Sequence, residues 1–105
     1  MDQKRRVVVT GLGLISPLGN TVESSWKEAI EGKSGAESIS KFDTENFLTK
    51  FGATVKNFKD LNCIDPKEAR RTDLFIQYGT AAAIEAIEDS GFMDSYESER
   101  IGVSV

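Results

Sequence analysis

The sequence contains no histidine and a single cysteine, Cys63, among its 105 residues. Histidine is the most frequent general base at neutral pH and one of the most frequent metal ligands. The chain therefore lacks the usual residue for general base catalysis and for binding a metal ion. One cysteine cannot form a disulfide within the chain, and without a neighbouring histidine its thiol lacks the usual base that generates a thiolate. We therefore interpret Cys63 as a packed or incidental residue.

Long apolar runs and a basic charge balance are also missing. No segment approaches the roughly 18 apolar residues that span a bilayer, and the start MDQKRRVVV has too short an apolar run for a signal peptide. The net charge of -4 gives the whole chain no attraction to nucleic acid or anionic lipid. No segment has the regular spacing of oxygen ligands that a hard cation requires. These absences predict a cytoplasmic protein with no metal, no nucleic-acid partner and no membrane partner.

The composition that remains is that of a folded protein. Hydrophobic residues make up 39% of the chain and charged residues 29%, which is ordinary for a globular domain. A chain of this length forms one domain at most and is expected to bury roughly two thirds of the surface that it exposes when unfolded. We therefore expect a small hydrophobic core.

A β-branched run at residues 7–10, ended by Gly11 and Gly13, predicts a strand buried on both faces, as in a parallel sheet. The two glycines suggest a dinucleotide-binding turn, but the position three residues after Gly13 is Ser16, and the following helix begins only near Thr21. Close packing of the next element explains the glycines better. A small nucleotide-binding α/β domain remains an alternative.

A turn and a helix follow this strand. Pro17 and Gly19 predict the turn, Asn20 with Glu23 three residues later is a variant of the capping box that opens a helix, and Gly32 is suited to end it. Residues 33–50 are polar and predict a loop, after which 51–55 predicts a short strand near a sheet edge.

A longer helical region occupies the second half of the chain. Asp65 and Pro66 predict a helix start. The run from Lys67 to Ser90 is either one bent helix or a short helix followed by a long one, and Gly91 is suited to end it. Its apolar face is too wide for one small sheet to cover, so we expect the chain to associate or to exchange elements with a second copy. A third strand is predicted at 101–105, which gives the order strand, helix, strand, helix, strand.

Two groups of charged residues are candidate sites. The carboxylates Asp94, Glu97 and Glu99 lack the apolar surroundings that would raise a pKa, and we interpret them as a solvated loop. Lys67, Arg70 and Arg71 are spaced i, i+3 and i+4, which places them on one side of a helix where they could together bind a phosphate or an acidic surface. By spacing alone a solvated helix face, with Glu68 and Asp73 nearby, explains these three better.

Several segments, taken in order, resemble the amino-terminal part of one enzyme family. The chain resembles the β-ketoacyl-acyl carrier protein synthases, and among them the type II elongating synthase of bacterial fatty acid synthesis. The resemblance covers nearly the whole chain, and the combination of segments is far more specific than a pair of glycines. The segments are VVVTGLGLISPLGNTVESSWKEAIEGKSG, FDT, KFGATVK, KEARRTDLFIQYGTAAAIEAIEDSG and RIGVSV.

The resemblance implies a thiolase-like α/β fold, a layered αβαβα sandwich of which residues 1–105 would be an incomplete amino-terminal part, in a homodimeric cytoplasmic enzyme. It also implies an acyltransferase that performs a decarboxylating Claisen condensation of acyl and malonyl carrier protein without a cofactor. The catalytic cysteine and two histidines of that family match no residue of this chain, because Cys63 lies in none of its motifs. The resemblance therefore implies no catalytic residue here.

The resemblance does imply a role for three basic residues, Lys67, Arg70 and Arg71. They align with the basic helix to which the family binds the acidic acyl carrier protein. The resemblance thus favours partner binding by these three residues. We expect an amino-terminal segment of a β-ketoacyl synthase without condensing activity of its own. The alternative is a carrier-protein docking or assembly module that works with a separate remainder.

Overall fold

The computed structural model describes residues 3–58 and 64–105, which form helices and one small antiparallel sheet, a partial α/β arrangement. No helix in these two ranges is long and apolar enough to cross a membrane. In chain order the elements are helix α1 (Val22–Ile30), strands β1 (Ala36–Ser38) and β2 (Phe51–Ala53), helices α2 (Pro66–Ala69) and α3 (Leu74–Ser90), and a 3₁₀ turn (Ser98–Arg100).

Helix α1 begins with a capping box, one position later than predicted. The hydroxyl of Thr21 accepts the N–H of Ser24, and the hydroxyl of Ser24 accepts the N–H of Thr21, both at 3.1 Å. The predicted box of Asn20 and Glu23 is wrong because Thr21 has the extended backbone of a cap, with φ of −140°. The helix ends as predicted, since Gly32 follows it in the left-handed region with φ of +73°.

The small sheet pairs a predicted strand with an unpredicted one. The strand predicted at 51–55 is confirmed over β2, whereas the loop predicted at 33–50 contains its antiparallel partner β1, with Ser38 opposite Phe51. Strand β1 has the sequence AES, without a β-branched or aromatic residue, so propensity gives no strand signal. Pairing with β2 decides its conformation.

Side chains join this sheet to the turn before α1. The predicted turn is confirmed by backbone hydrogen bonds between Ser16 and Gly19 in both directions, at 2.9 and 3.2 Å. Next to it, the side-chain amide of Asn20 donates to the carbonyl oxygens of Lys56 and Asn57 at 3.1 and 3.2 Å. The turn and the chain after β2 are therefore held together.

The second half contains a short helix followed by a long one, as one of the two predicted arrangements requires. The carboxylate of Asp65 accepts the N–H of Lys67 at 2.9 Å, which caps α2. Asp73 occupies the cap position of α3 but makes no side-chain hydrogen bond there. Gly91, with φ of +63°, ends α3 as predicted.

The segments 7–10 and 101–105 are not strands in this structure, which corrects two predictions. A strand exists only when a neighbouring chain accepts and donates its backbone hydrogen bonds. Residues 7–10 make no backbone hydrogen bond to another described residue, and in 101–105 only Ile101 makes one, to Ser98 in the 3₁₀ turn. Their β-branched composition predicts strands, but no described segment lies beside them as a partner.

The expected small core is absent from the described residues, where only Ser25 is buried and no hydrophobic side chain is. The accessible surface is 9439 Å², whereas a compact protein of this mass exposes about 5,800 Å². The radius of gyration is 18.0 Å, against about 13 Å for a compact domain of 100 residues. Within the described residues the helices make few contacts with one another or with the sheet and enclose no interior, so the apolar side chains of α1 and α3 stay exposed or half-buried.

Candidate functional site

Lys67, Arg70 and Arg71, here called the basic segment, lie where α2 ends. Only Lys67 is within the helix, which corrects the prediction that a helix face carries all three. Arg70 keeps helical backbone angles as the C-cap, with φ −71° and ψ −19°. The N–H of Arg71 donates to the carbonyl of Glu68 at 2.9 Å, which continues the turn. All three side chains are exposed and lie within five consecutive residues.

Helix α3 holds this segment through Gln77. Its side-chain amide donates to the carbonyl oxygens of Ala69 and Thr72, at 3.0 and 2.9 Å. The Thr72 hydroxyl donates to the Glu68 carbonyl at 2.7 Å. Carbonyls at the end of a helix lack partners inside it, so these donors stabilise the end of α2 and fix it against α3. The sequence did not predict this role of Gln77, because the amide that satisfies these carbonyls lies on the following helix.

The basic segment makes no ion pair with any other described residue. The ion pairs within 3–58 and 64–105 join Lys33 to Glu28 and Glu31, at 3.0 and 2.8 Å, and Lys56 to Glu37 at 3.8 Å. The hydrogen bonds that Lys33 donates to Glu31 and then to Glu28 raise its pKa above the ordinary value of 10.5. The side chains of the basic segment, by contrast, have no described carboxylate within ion-pair distance.

Gly11 and Gly13 place residues 11–14, here called the glycine loop, directly against the backbone of α3. A Cβ atom on Gly11 would overlap the carbonyl oxygen of Ala86, and one on Gly13 would overlap that of Ala82. The interpretation that the glycines serve close packing is therefore confirmed. Larger side chains at these positions would separate the loop from the helix.

Two carboxylates of α3 bind the backbone of the glycine loop. Asp89 accepts the N–H of Leu12 at 3.0 Å, and Glu85 accepts that of Leu14 at 2.9 Å. Residues two apart in an extended chain are separated by about 6.7 Å, and residues four apart on a helix by about 6 Å along its axis. The spacings match, so each carboxylate meets one N–H. The second oxygen of Glu85 accepts the N–H of Val22 at 2.9 Å, at the start of α1.

These contacts bear on the other candidate sites. The N–H groups of Leu12 and Leu14, which a phosphate would use in a glycine-rich turn, already donate to carboxylates, and this geometry disfavours nucleotide binding. Nowhere in the described ranges do three or more histidine, cysteine, aspartate or glutamate residues form a group that could hold a metal ion. The carboxylates interpreted as a solvated loop are exposed, namely Asp94, Glu97 and Glu99. Cys63 lies outside the described residues.

Comparisons with known proteins give one consistent result. Residues 4–105 match the family described as "Beta-ketoacyl synthase, N-terminal domain". Over 103 residues, 97% of this chain, it is 54% identical to 3-oxoacyl-[acyl-carrier-protein] synthase 2 of Vibrio cholerae serotype O1. Over 104 residues, 98% of this chain, it is 42% identical to the protein of the same name from Coxiella burnetii. In both cases the chain spans 25% of the relative's length.

A solved structure is similar as well. The ishigamide ketosynthase/chain length factor superposes on 95% of this chain with a TM-score of 0.70 and 32% sequence identity, and the match covers 24% of that structure's chain. The arrangement of elements described above is therefore similar to one quarter of a ketosynthase.

Proposed function

The chain belongs to the β-ketoacyl synthase family, and from that premise we propose that it is the amino-terminal part of a 3-oxoacyl-[acyl-carrier-protein] synthase 2, a condensing enzyme that elongates fatty acyl chains. The observation that carries this proposal is 54% identity along 97% of the chain to a protein with that name, of which the chain spans a quarter. In the complete protein, a cytoplasmic homodimer, the segments 7–10 and 101–105 pair with further strands of a layered αβαβα sandwich.

This part supplies scaffold rather than the groups that form bonds. The chain has no histidine, and its single cysteine has no histidine in the chain to activate it. We expect the purified chain to release no β-ketoacyl product from acyl and malonyl carrier protein above the uncatalysed rate. Turnover above that background, lost on Cys63→Ser, would contradict the proposal.

The basic segment is proposed as a docking surface for the acidic acyl carrier protein. Because the net charge of the chain is -4, an anionic partner is repelled overall and has to be attracted locally. Electrostatic interactions in physiological salt extend over about 8 Å. Three cations within five residues therefore act on one partner together, and the contacts of Gln77 and Asp65 hold the backbone that carries them.

Charge reversal of the basic segment tests the docking surface. The variant with Lys67, Arg70 and Arg71 all changed to Glu is compared with the unchanged chain by titration with acyl carrier protein at low and at physiological ionic strength. Like charges that face each other across an interface slow association and weaken binding. We expect the affinity to fall roughly 10- to 100-fold and most of its salt dependence to disappear.

The chain offers a control with the same charge change. Lys4, Arg5 and Arg6 are also one lysine and two arginines in consecutive exposed positions, distant in sequence from α2. Changing these three to Glu alters the net charge equally, and we expect carrier-protein affinity to change far less. If both triple variants lose affinity equally, net charge rather than the basic segment determines binding, and the docking surface is rejected.

A module that assembles with a separate remainder is the second candidate. The observation in its favour is the accessible surface, which exceeds that of a compact protein of this mass by roughly 3,600 Å². The test is to mix the purified chain with the separately produced remaining three quarters of a relative. Recovery of condensing activity supports assembly between two chains, and failure to form a complex contradicts it.

A further inference from the structure

We draw no further inference here: the strongest candidate, the acidic pocket between α1 and α3 that Glu23, Glu85, Glu88 and Asp89 line, carries nothing, because Glu85 and Asp89 already accept backbone N–H groups and no second observation among the described residues points to a ligand.

Discussion

The glycine loop and the segment 7–10 directly before it are neighbours in sequence and opposites in structure. The loop has its N–H groups accepted by Asp89 and Glu85, at 3.0 and 2.9 Å, and its glycines contact the backbone of α3. The valines before it are more apolar, yet they stay exposed and unpaired among the described residues. Apolar composition alone therefore fixes no position, and a backbone segment is placed where its hydrogen bonds have partners.

The largest loss of stability is expected when a glycine of the glycine loop is replaced. Gly13→Ala introduces a Cβ that overlaps the carbonyl of Ala82, and the helix backbone cannot rotate away from it. We therefore expect the packing of the glycine loop against α3 to lose about 3 kcal/mol of free energy. Amide hydrogen exchange at Leu12 and Leu14 measures it, while residues 7–10 exchange freely in both proteins. The control Gly79→Ala meets no atom within 4 Å and should instead stabilise α3 by about 0.5–1 kcal/mol. Equal protection of Leu14 in Gly13→Ala would contradict the close packing.

Removing a carboxylate has the next largest effect. Glu85→Ala leaves the N–H groups of Leu14 and Val22 without their acceptor, and we expect a loss of about 2 kcal/mol, read from exchange at both amides. Glu85→Gln keeps one acceptor oxygen and should lose about half as much. The control is Glu88→Ala, a neighbouring exposed carboxylate with no hydrogen bond to another described residue, and it should change neither amide. If Glu88→Ala matches Glu85→Ala, net helix charge rather than direct acceptance is responsible.

Removing a contact between residues close in sequence should destabilise the chain less than removing these contacts between distant residues. Thr21→Ala removes one half of the capping box of α1, and we expect a loss of about 1 kcal/mol in helix stability, measured by circular dichroism during thermal unfolding. Thr21→Ser retains the hydroxyl and serves as the control, with little expected change. A full loss in Thr21→Ser would mean that the methyl group rather than the hydrogen bond stabilises the helix start.

The smallest effect concerns Lys33, which is exposed and pairs with Glu28 and Glu31. Its pKa is raised in the folded chain, so the stabilisation is fully present below the ordinary value of 10.5 and is lost as the pH rises through the higher folded value. We expect Lys33→Gln to lower the unfolding temperature slightly at neutral pH and the difference to vanish at strongly alkaline pH. Lys27→Gln, at an exposed lysine without an ion pair to a described residue, should show no such dependence. A difference that grows with pH would reverse the assigned sign.

Much of the candidate site could be predicted from short-range signals. Asp65 and Pro66 predict the start of α2, and the spacing of the basic segment follows from the sequence directly. What could not be predicted is that α2 stops at Ala69 and that Gln77 holds its end, because a helix end depends on donors that lie further along the chain. The roles of Glu85 and Asp89 were not predicted either. A polar strip on a helix has the same sequence pattern whether it faces water or the backbone of another segment.

The sequence by itself determined the turn at Ser16–Gly19, the end of α1 at Gly32, the end of α3 at Gly91, and the family to which the chain belongs. Each of these depends on residues a few positions apart, or on the order of many short motifs. Tertiary structure alone decided where the glycine loop lies and whether β-branched segments become strands. The N–H groups of the glycine loop donate to side-chain carboxylates 77 and 71 positions away. Neither these bonds nor the backbone bonds of a strand form until folding has brought the partner alongside.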